Sequence, residues 1–224
     1  MNELQINESG ELKVKVQTHP VLHAAGVFFS WLFHPLIMIV WISWYLVYVN
    51  DLVFLGLDDY DRLKVFLRVM STSVFLPLIT VLLLKGLGFI QSIQLRLQRE
   101  RIIPLVACIT FFFWSYYVSK KLQDPAELQS LLLTLFICSS ATLIINNYFK
   151  ISMHAIAAGG MLCLAILLLY TGRIDVAWPL VFALFAAGIT CSSRFIASDH
   201  SSFEIVFGFC TGIVIQAVCW WIVH

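Results

Sequence analysis

Seven long apolar runs dominate this sequence, over roughly 25–49, 66–89, 104–118, 128–147, 153–171, 176–192 and 203–223. A helix that crosses a bilayer needs about 20 such residues. The runs are too long and too uniformly apolar for barrel strands, whose two faces alternate. In hydrocarbon, an isolated helix can satisfy every backbone N–H and C=O within its own segment. The chain therefore reads as all-α, a polytopic transmembrane helix bundle of six or seven spans. Only 12% of its residues are charged and 60% are hydrophobic, whereas a soluble domain carries about 25% charged residues. So few charges cannot coat a water-facing surface around this much apolar bulk. A soluble enzyme and a disordered regulator are excluded as classes. A net charge of +1 supplies no basic field for nucleic acid.

Seven spans use about 140 residues, so the 224-residue chain has no room for a separate soluble domain. The expected organisation is one integral membrane domain over 1–224, with a polar N-terminal tail over 1–24. That tail lacks the basic-then-apolar order of a signal peptide. Breaks between spans are expected at Asp58 to Arg62, Arg96 to Arg101, Lys120-Lys121, Asn146-Asn147, Thr171 to Arg173, and Ser192 to His200. The first span has two readings. Val21 to Phe33 begins it, or that stretch is a short interfacial helix and Pro35 takes the first position of the true span. The six Cys (108, 138, 163, 191, 210 and 219) show neither Cys-x-x-Cys pairing nor metal-site spacing, and read as small core residues. Trp41, Trp44, Tyr45, Tyr48, Trp114, Tyr116, Tyr117, Trp220 and Trp221 read as interface anchors.

Parity turns this list of spans into a location. With seven crossings, Arg101, Lys150, Ser152, His154, Arg194, His200 and Glu204 all fall on the side that holds the N-terminus. They come from three connections far apart in sequence, and helix packing can bring them to one pocket at the membrane face. Two histidines among Arg and Lys suit phosphoryl chemistry. The cations neutralise phosphate oxygens, one imidazole attacks, and the other protonates the leaving oxygen. His34 is a weaker candidate, as an ionisable group at the edge of a span.

The same residues resemble a known family. Ser193-Arg194, five residues, His200, three residues, Glu204 resembles the third signature of the type-2 phosphatidic acid phosphatase superfamily, S-R-x5-H-x3-D, which vanadium haloperoxidases share. Ile151-Ser152-Met153-His154 resembles its second signature, P-S-G-H. The first signature, K-x6-R-P, is echoed by Arg96 and Pro104, with Ile103 at the Arg position. Arg99 to Pro104 also resembles a divergent bacterial membrane branch. The signature-bearing region runs over 94–204, so the resemblance implies a phosphatidic acid phosphatase type 2-like core in the C-terminal half. It implies a membrane-embedded lipid phosphatase, in a bacterial inner membrane, that hydrolyses a lipid phosphate monoester or pyrophosphate. No cofactor is implied; the partners are the lipid phosphate substrate and membrane lipids. In this reading His200 is the nucleophile that forms a phosphohistidine, Glu204 orients it, and His154 is the general acid. Arg194, Arg101, Lys150 and Ser152 bind the phosphate. Met153, Ile151 and Glu204 depart from the signatures' Gly, Pro and Asp, and the Arg absent at Ile103 must be supplied by Arg101 or Lys150 for full activity. Two rivals stand beside this reading. One is a non-catalytic relative that binds or moves an anionic lipid headgroup. The other is a metal-dependent hydrolase using the i, i+4 pair His200 and Glu204 with His154. Ser201 to Glu204 also forms a capping box, so Glu204 has a structural role compatible with its catalytic one.

Overall fold

The structure is a computed structural model that describes residues 3–6, 12–15, 19–92, 98–174, 176–197 and 200–224. Arg96 lies outside them. The regular structure among these residues is helical apart from one small hairpin, strands β1 (Glu3–Ile6) and β2 (Leu12–Lys15), which pair antiparallel with Glu3 opposite Lys15. The described residues form helices α1 (Pro20–Leu32), α2 (Pro35–Trp44), α3 (Asp59–Met70), α4 (Leu76–Gly86), α5 (Ile102–Lys121), α6 (Ala126–Ile145), α7 (Met153–Tyr170), α8 (Trp178–Ala197) and α9 (Ser202–Val223). A π-turn at Tyr45–Val49 extends α2, and another at Ser71–Phe75 joins α3 to α4.

Among the described residues, six helical stretches are long and apolar enough to cross a membrane: Asp59–Gly86, Arg99–Lys121, α6, α7, α8 and α9. The pair α1 and α2, bent by 52°, makes a seventh if it is counted as one broken span. The break has a plain cause. Pro35 has no N–H to continue α1, and His34 instead caps the new helix. Several charged clusters fall inside helices rather than between them. Asp58 caps α3 and Asp59 and Asp61 occupy its first turn, where carboxylates complement the helix dipole. Lys120 and Lys121 close α5, and Arg194 lies in the last turn of α8. Cations are favourable at those ends, so nothing in these residues stops the helix early.

Helix α7 is the central element, with 61% of its span buried against 17–39% for the other five. One apolar core packs it against α2 and α8 through Met38, Ala158, Leu162, Ala183 and Ala187. A second core gathers Leu46, Phe54, Leu128, Leu132, Leu164 and Trp220 toward the other end. Trp220 is thus a core residue rather than an interface anchor; its ring stacks on His224 at 3.9 Å. All six cysteines are free, and Cys210 is exposed.

Helices α7 and α9 run parallel and touch backbone to backbone. A Cβ built on Gly159 would lie 2.1 Å from the Phe209 carbonyl oxygen, and one built on Gly212 would lie 2.0 Å from that of Ile156. Gly208 and Gly212 form a small-x-x-x-small pair, which lets helix backbones approach closely in an apolar environment. The contact has a functional consequence. It sets the N-terminal ends of α7 and α9 side by side, and those ends carry His154 and the His200–Glu204 pair.

Candidate functional site

The turn before α7 is the hub of the site. Three of its residues receive contacts from different parts of the chain. The Lys150 carbonyl lies 3.1 Å from His200 Nδ1. The Ile151 carbonyl accepts a hydrogen bond from Arg101 Nη1 at 3.1 Å. The Ser152 N–H reaches the Glu204 carbonyl at 3.5 Å. Ser152 itself is fully buried, and its Oγ accepts the Ala155 N–H at 3.4 Å as the N-cap of α7. Its hydroxyl therefore holds the turn that positions its neighbours. Reciprocal hydrogen bonds between the side chain of Gln98 and the backbone of Asn146, at 3.1 Å, and between Asn146 Nδ2 and the Gln98 carbonyl, at 3.0 Å, tie the start of α5 to the end of α6. That tie carries Arg101, only 4% exposed, to the hub.

His200 has its Nδ1 side fully engaged. The same nitrogen that meets the Lys150 carbonyl lies 3.0 Å from Glu204 Oε2. A carbonyl and a carboxylate both accept, so Nδ1 carries the hydrogen, and in the neutral ring Nε2 carries the lone pair. Glu204 Oε2 also accepts the Ser201 N–H at 2.9 Å, and Ser201 Oγ accepts the Glu204 N–H at 3.3 Å. The capping and orienting roles of Glu204 coexist on one carboxylate. The His200 side chain is 3% exposed. Burial, followed by the charges of Arg194 and Arg101, holds its pKa below the usual 6.5, while the Glu204 hydrogen bond and charge oppose the shift. The imidazole is therefore neutral near pH 7, the state a nucleophile needs.

His154 and Arg194 converge on Ser30, near the end of α1. His154 Nε2 donates to the Ser30 carbonyl at 3.1 Å, and Arg194 Nη1 donates to Ser30 Oγ at 2.7 Å. Arg194 acts electrostatically on His34, His154, His200 and Arg101. The His34 ring meets the His154 ring edge to face, with centroids 5.2 Å apart and planes at 90°. Arg101 interacts electrostatically with both Arg194 and Glu204, which puts two guanidinium groups beside one carboxylate, a local field suited to an anion. Ile103, where the first signature has Arg, is 50% exposed on the outside of α5. Arg101, two residues earlier, is the cation that turns inward.

The structure thus brings together His200, Glu204, the Lys150 backbone, Arg101, His154 and Arg194. It adds Ser30, for which the sequence carries no motif signal, and it sets the weaker candidate His34 beside His154. Among the described residues, no three His, Cys, Asp or Glu side chains gather in a metal-binding arrangement. Compared with family models, curated proteins and solved structures, the chain finds no match. Its fold and site define a class on their own terms: a helical bundle of span-length apolar helices with a buried, cationic, histidine-bearing site at one end.

Proposed function

We propose that this chain is a multi-pass membrane phosphatase acting on a lipid phosphate monoester or pyrophosphate through a phosphohistidine at His200. The observation that carries the reading is the pairing of His200 Nδ1 with Glu204 Oε2 and the Lys150 carbonyl. It fixes the tautomer whose Nε2 lone pair can attack, in the manner of a triad's orienting carboxylate. In the first step, Nε2 forms a bond to phosphorus while the bond from phosphorus to the leaving oxygen breaks. That oxygen takes the electron pair and the Nδ1 proton of His154, which enters the step as the imidazolium opposite the bound phosphate, while its Nε2–H stays on the Ser30 carbonyl. In the second step water attacks phosphorus, the N–P bond breaks, and the water's proton passes to His154 Nδ1. Inorganic phosphate leaves and both rings return to their starting states. Arg194 and Arg101 neutralise the phosphoryl oxygens throughout.

A lipid substrate suits the surroundings. An apolar groove of about 630 Å³ lies between α1 and α8, lined by Ala25, Phe29, Phe185, Gly188 and Ile189, and it reaches Ser193 beside Arg194. Hydrocarbon can lie there while the phosphate meets the histidines. The second reading, a binder of anionic headgroups without turnover, draws on the outward-facing Ile103.

Phosphate release from a panel of lipid phosphates by wild type, His200→Ala and His154→Ala separates the two. Release by wild type, inhibited by vanadate and lost in both variants, is the expected result. Equal release from all three contradicts the mechanism. Tight binding without release from any substrate favours the second reading.

A further inference from the structure

The elbow between α1 and α2 lies outside every signature-like stretch, yet it carries a third histidine to the site. His-Pro occurs twice in the chain, at His19-Pro20 and His34-Pro35, and each pair opens a helix. In both, imidazole Nδ1 accepts the backbone N–H two residues on, at 3.4 Å from Val21 and 3.3 Å from Leu36. His19 is exposed, and the device there is only a cap. His34 is half-buried between Trp31, stacked at 6.2 Å, and His154, while Arg194 acts on it electrostatically.

The cap dictates the chemical state of the ring. A nitrogen that accepts from an amide cannot also carry a proton. His34 is therefore a neutral imidazole with its hydrogen on Nε2. Its donor is fixed by the helix start and needs no proton uptake. It stands beside the ring that, in the phosphatase reading, protonates the leaving group.

We propose that His34 contacts the substrate, donating an Nε2–H hydrogen bond to the leaving-group oxygen that His154 protonates. This rests on the phosphatase reading above. As the P–O bond breaks, negative charge gathers on that oxygen, and a preplaced donor stabilises it more there than in the intact ester. No proton leaves His34: its Nδ1 stays bound to the Leu36 N–H, and the transferred proton comes from His154 Nδ1. The benefit is greatest when the leaving oxygen is a poor leaving group, as in the phosphate ester of an aliphatic alcohol. It is small when the oxygen is already stabilised, as in a phenoxide. His34 therefore tunes the site toward aliphatic phosphate esters.

The test compares two esters with the same long chain, one of an aliphatic alcohol and one of an alkylphenol, on wild type, His34→Asn and His200→Ala. Asn is a strong N-cap, so His34→Asn keeps the α2 start while deleting the Nε2 donor. His34→Ser is a second capping variant should the first not fold, and melting temperatures matched to wild type establish an intact bundle. The expected result is a fall in kcat of about 10²-fold on the aliphatic ester, with little change on the phenyl ester. A purely structural role would lower both rates together. Equal losses on both esters, or no loss on either, overturn the assignment of His34 and leave the phosphatase reading standing if wild type turns over and His200→Ala does not. No turnover of either ester by wild type removes the phosphatase reading, and this role with it.

Discussion

Replacing Gly212 with Ala tests how the bundle aligns its site. The added Cβ would lie 2.0 Å from the Ile156 carbonyl oxygen and 2.9 Å from the Gly160 nitrogen. Ordinary contact begins at 3.4 Å, so α9 must withdraw from α7 by about 3.4 − 2.0 = 1.4 Å at that point. The obstacle is backbone on a central helix, which cannot rotate aside. Overpacking of this kind costs about 1–3 kcal/mol. The sign is informative, because Gly→Ala in an unobstructed helix stabilises by about 1 kcal/mol. If half of the displacement reaches the start of α9, the contact from His200 Nδ1 to the Lys150 carbonyl grows from 3.1 Å to about 3.8 Å, beyond hydrogen-bonding range. A misplacement near 1 Å can cost about 10²-fold in rate. Thermal unfolding in detergent and phosphate release should therefore both fall for Gly212→Ala. Gly86→Ala, at the end of α4 and away from the site, is the matched control, since nothing lies within 4 Å of its added Cβ. A Gly212→Ala protein that melts and turns over like wild type would refute the close parallel approach of α7 and α9.

Four further outcomes follow from the site and its supports. Activity should fall as pH drops through the His200 pKa, which burial places below 6.5, because the protonated ring cannot attack. Glu204→Gln removes the charge that raises that pKa and weakens the hydrogen bond that does the same, so the acid limb of kcat/KM should move to lower pH; kcat should fall by only about 10–10²-fold, since the Lys150 carbonyl still fixes the tautomer. Arg194→Lys keeps the charge but loses the planar fork that meets Ser30 and that, in the proposed mechanism, would hold two phosphoryl oxygens, and KM should rise about tenfold in steady-state assays. At the other end of the bundle, Arg173 Nε pairs at 2.9 Å with Glu127, whose side chain is 3% exposed. Arg173→Ala leaves a buried carboxylate poorly compensated and should cost about 1–2 kcal/mol, discounted because Arg173 is half-exposed. Its melting temperature should drop while phosphate release at low temperature stays unchanged.

Much of the helix layout was legible because burial in hydrocarbon imposes length and apolarity on each span. The seven apolar runs coincide with the observed helices to within a few residues at most ends. The largest exception is the second, which begins at Asp59 rather than near residue 66, since a capped, acidic first turn suits a helix start. Parity placed the histidines at one end, and the parallel α7–α9 contact is the physical means by which they meet. Side-chain engagement was less accessible. Ser30 carries no signal, because a serine one turn from a helix end is ordinary until Arg194 and His154 are seen to converge on it. His34 was visible as an ionisable residue before a proline, but its neighbour His154 lies 120 residues away in sequence. For Ser152 both a helix cap and a phosphate contact were open from sequence, and the structure shows its buried hydroxyl capping α7.

The proposed mechanism turns on a covalent phosphoryl group on His200 Nε2. Rapid quenching of the protein during turnover of a ³²P-labelled lipid phosphate, followed by alkaline work-up and mass spectrometry of the peptide spanning His200, reads it directly. An alkali-stable phosphohistidine is expected at His200 in wild type and none in His200→Ala, which should also release no phosphate. Phosphate release by His200→Ala at the wild-type rate, with no label on the wild-type peptide, would contradict it.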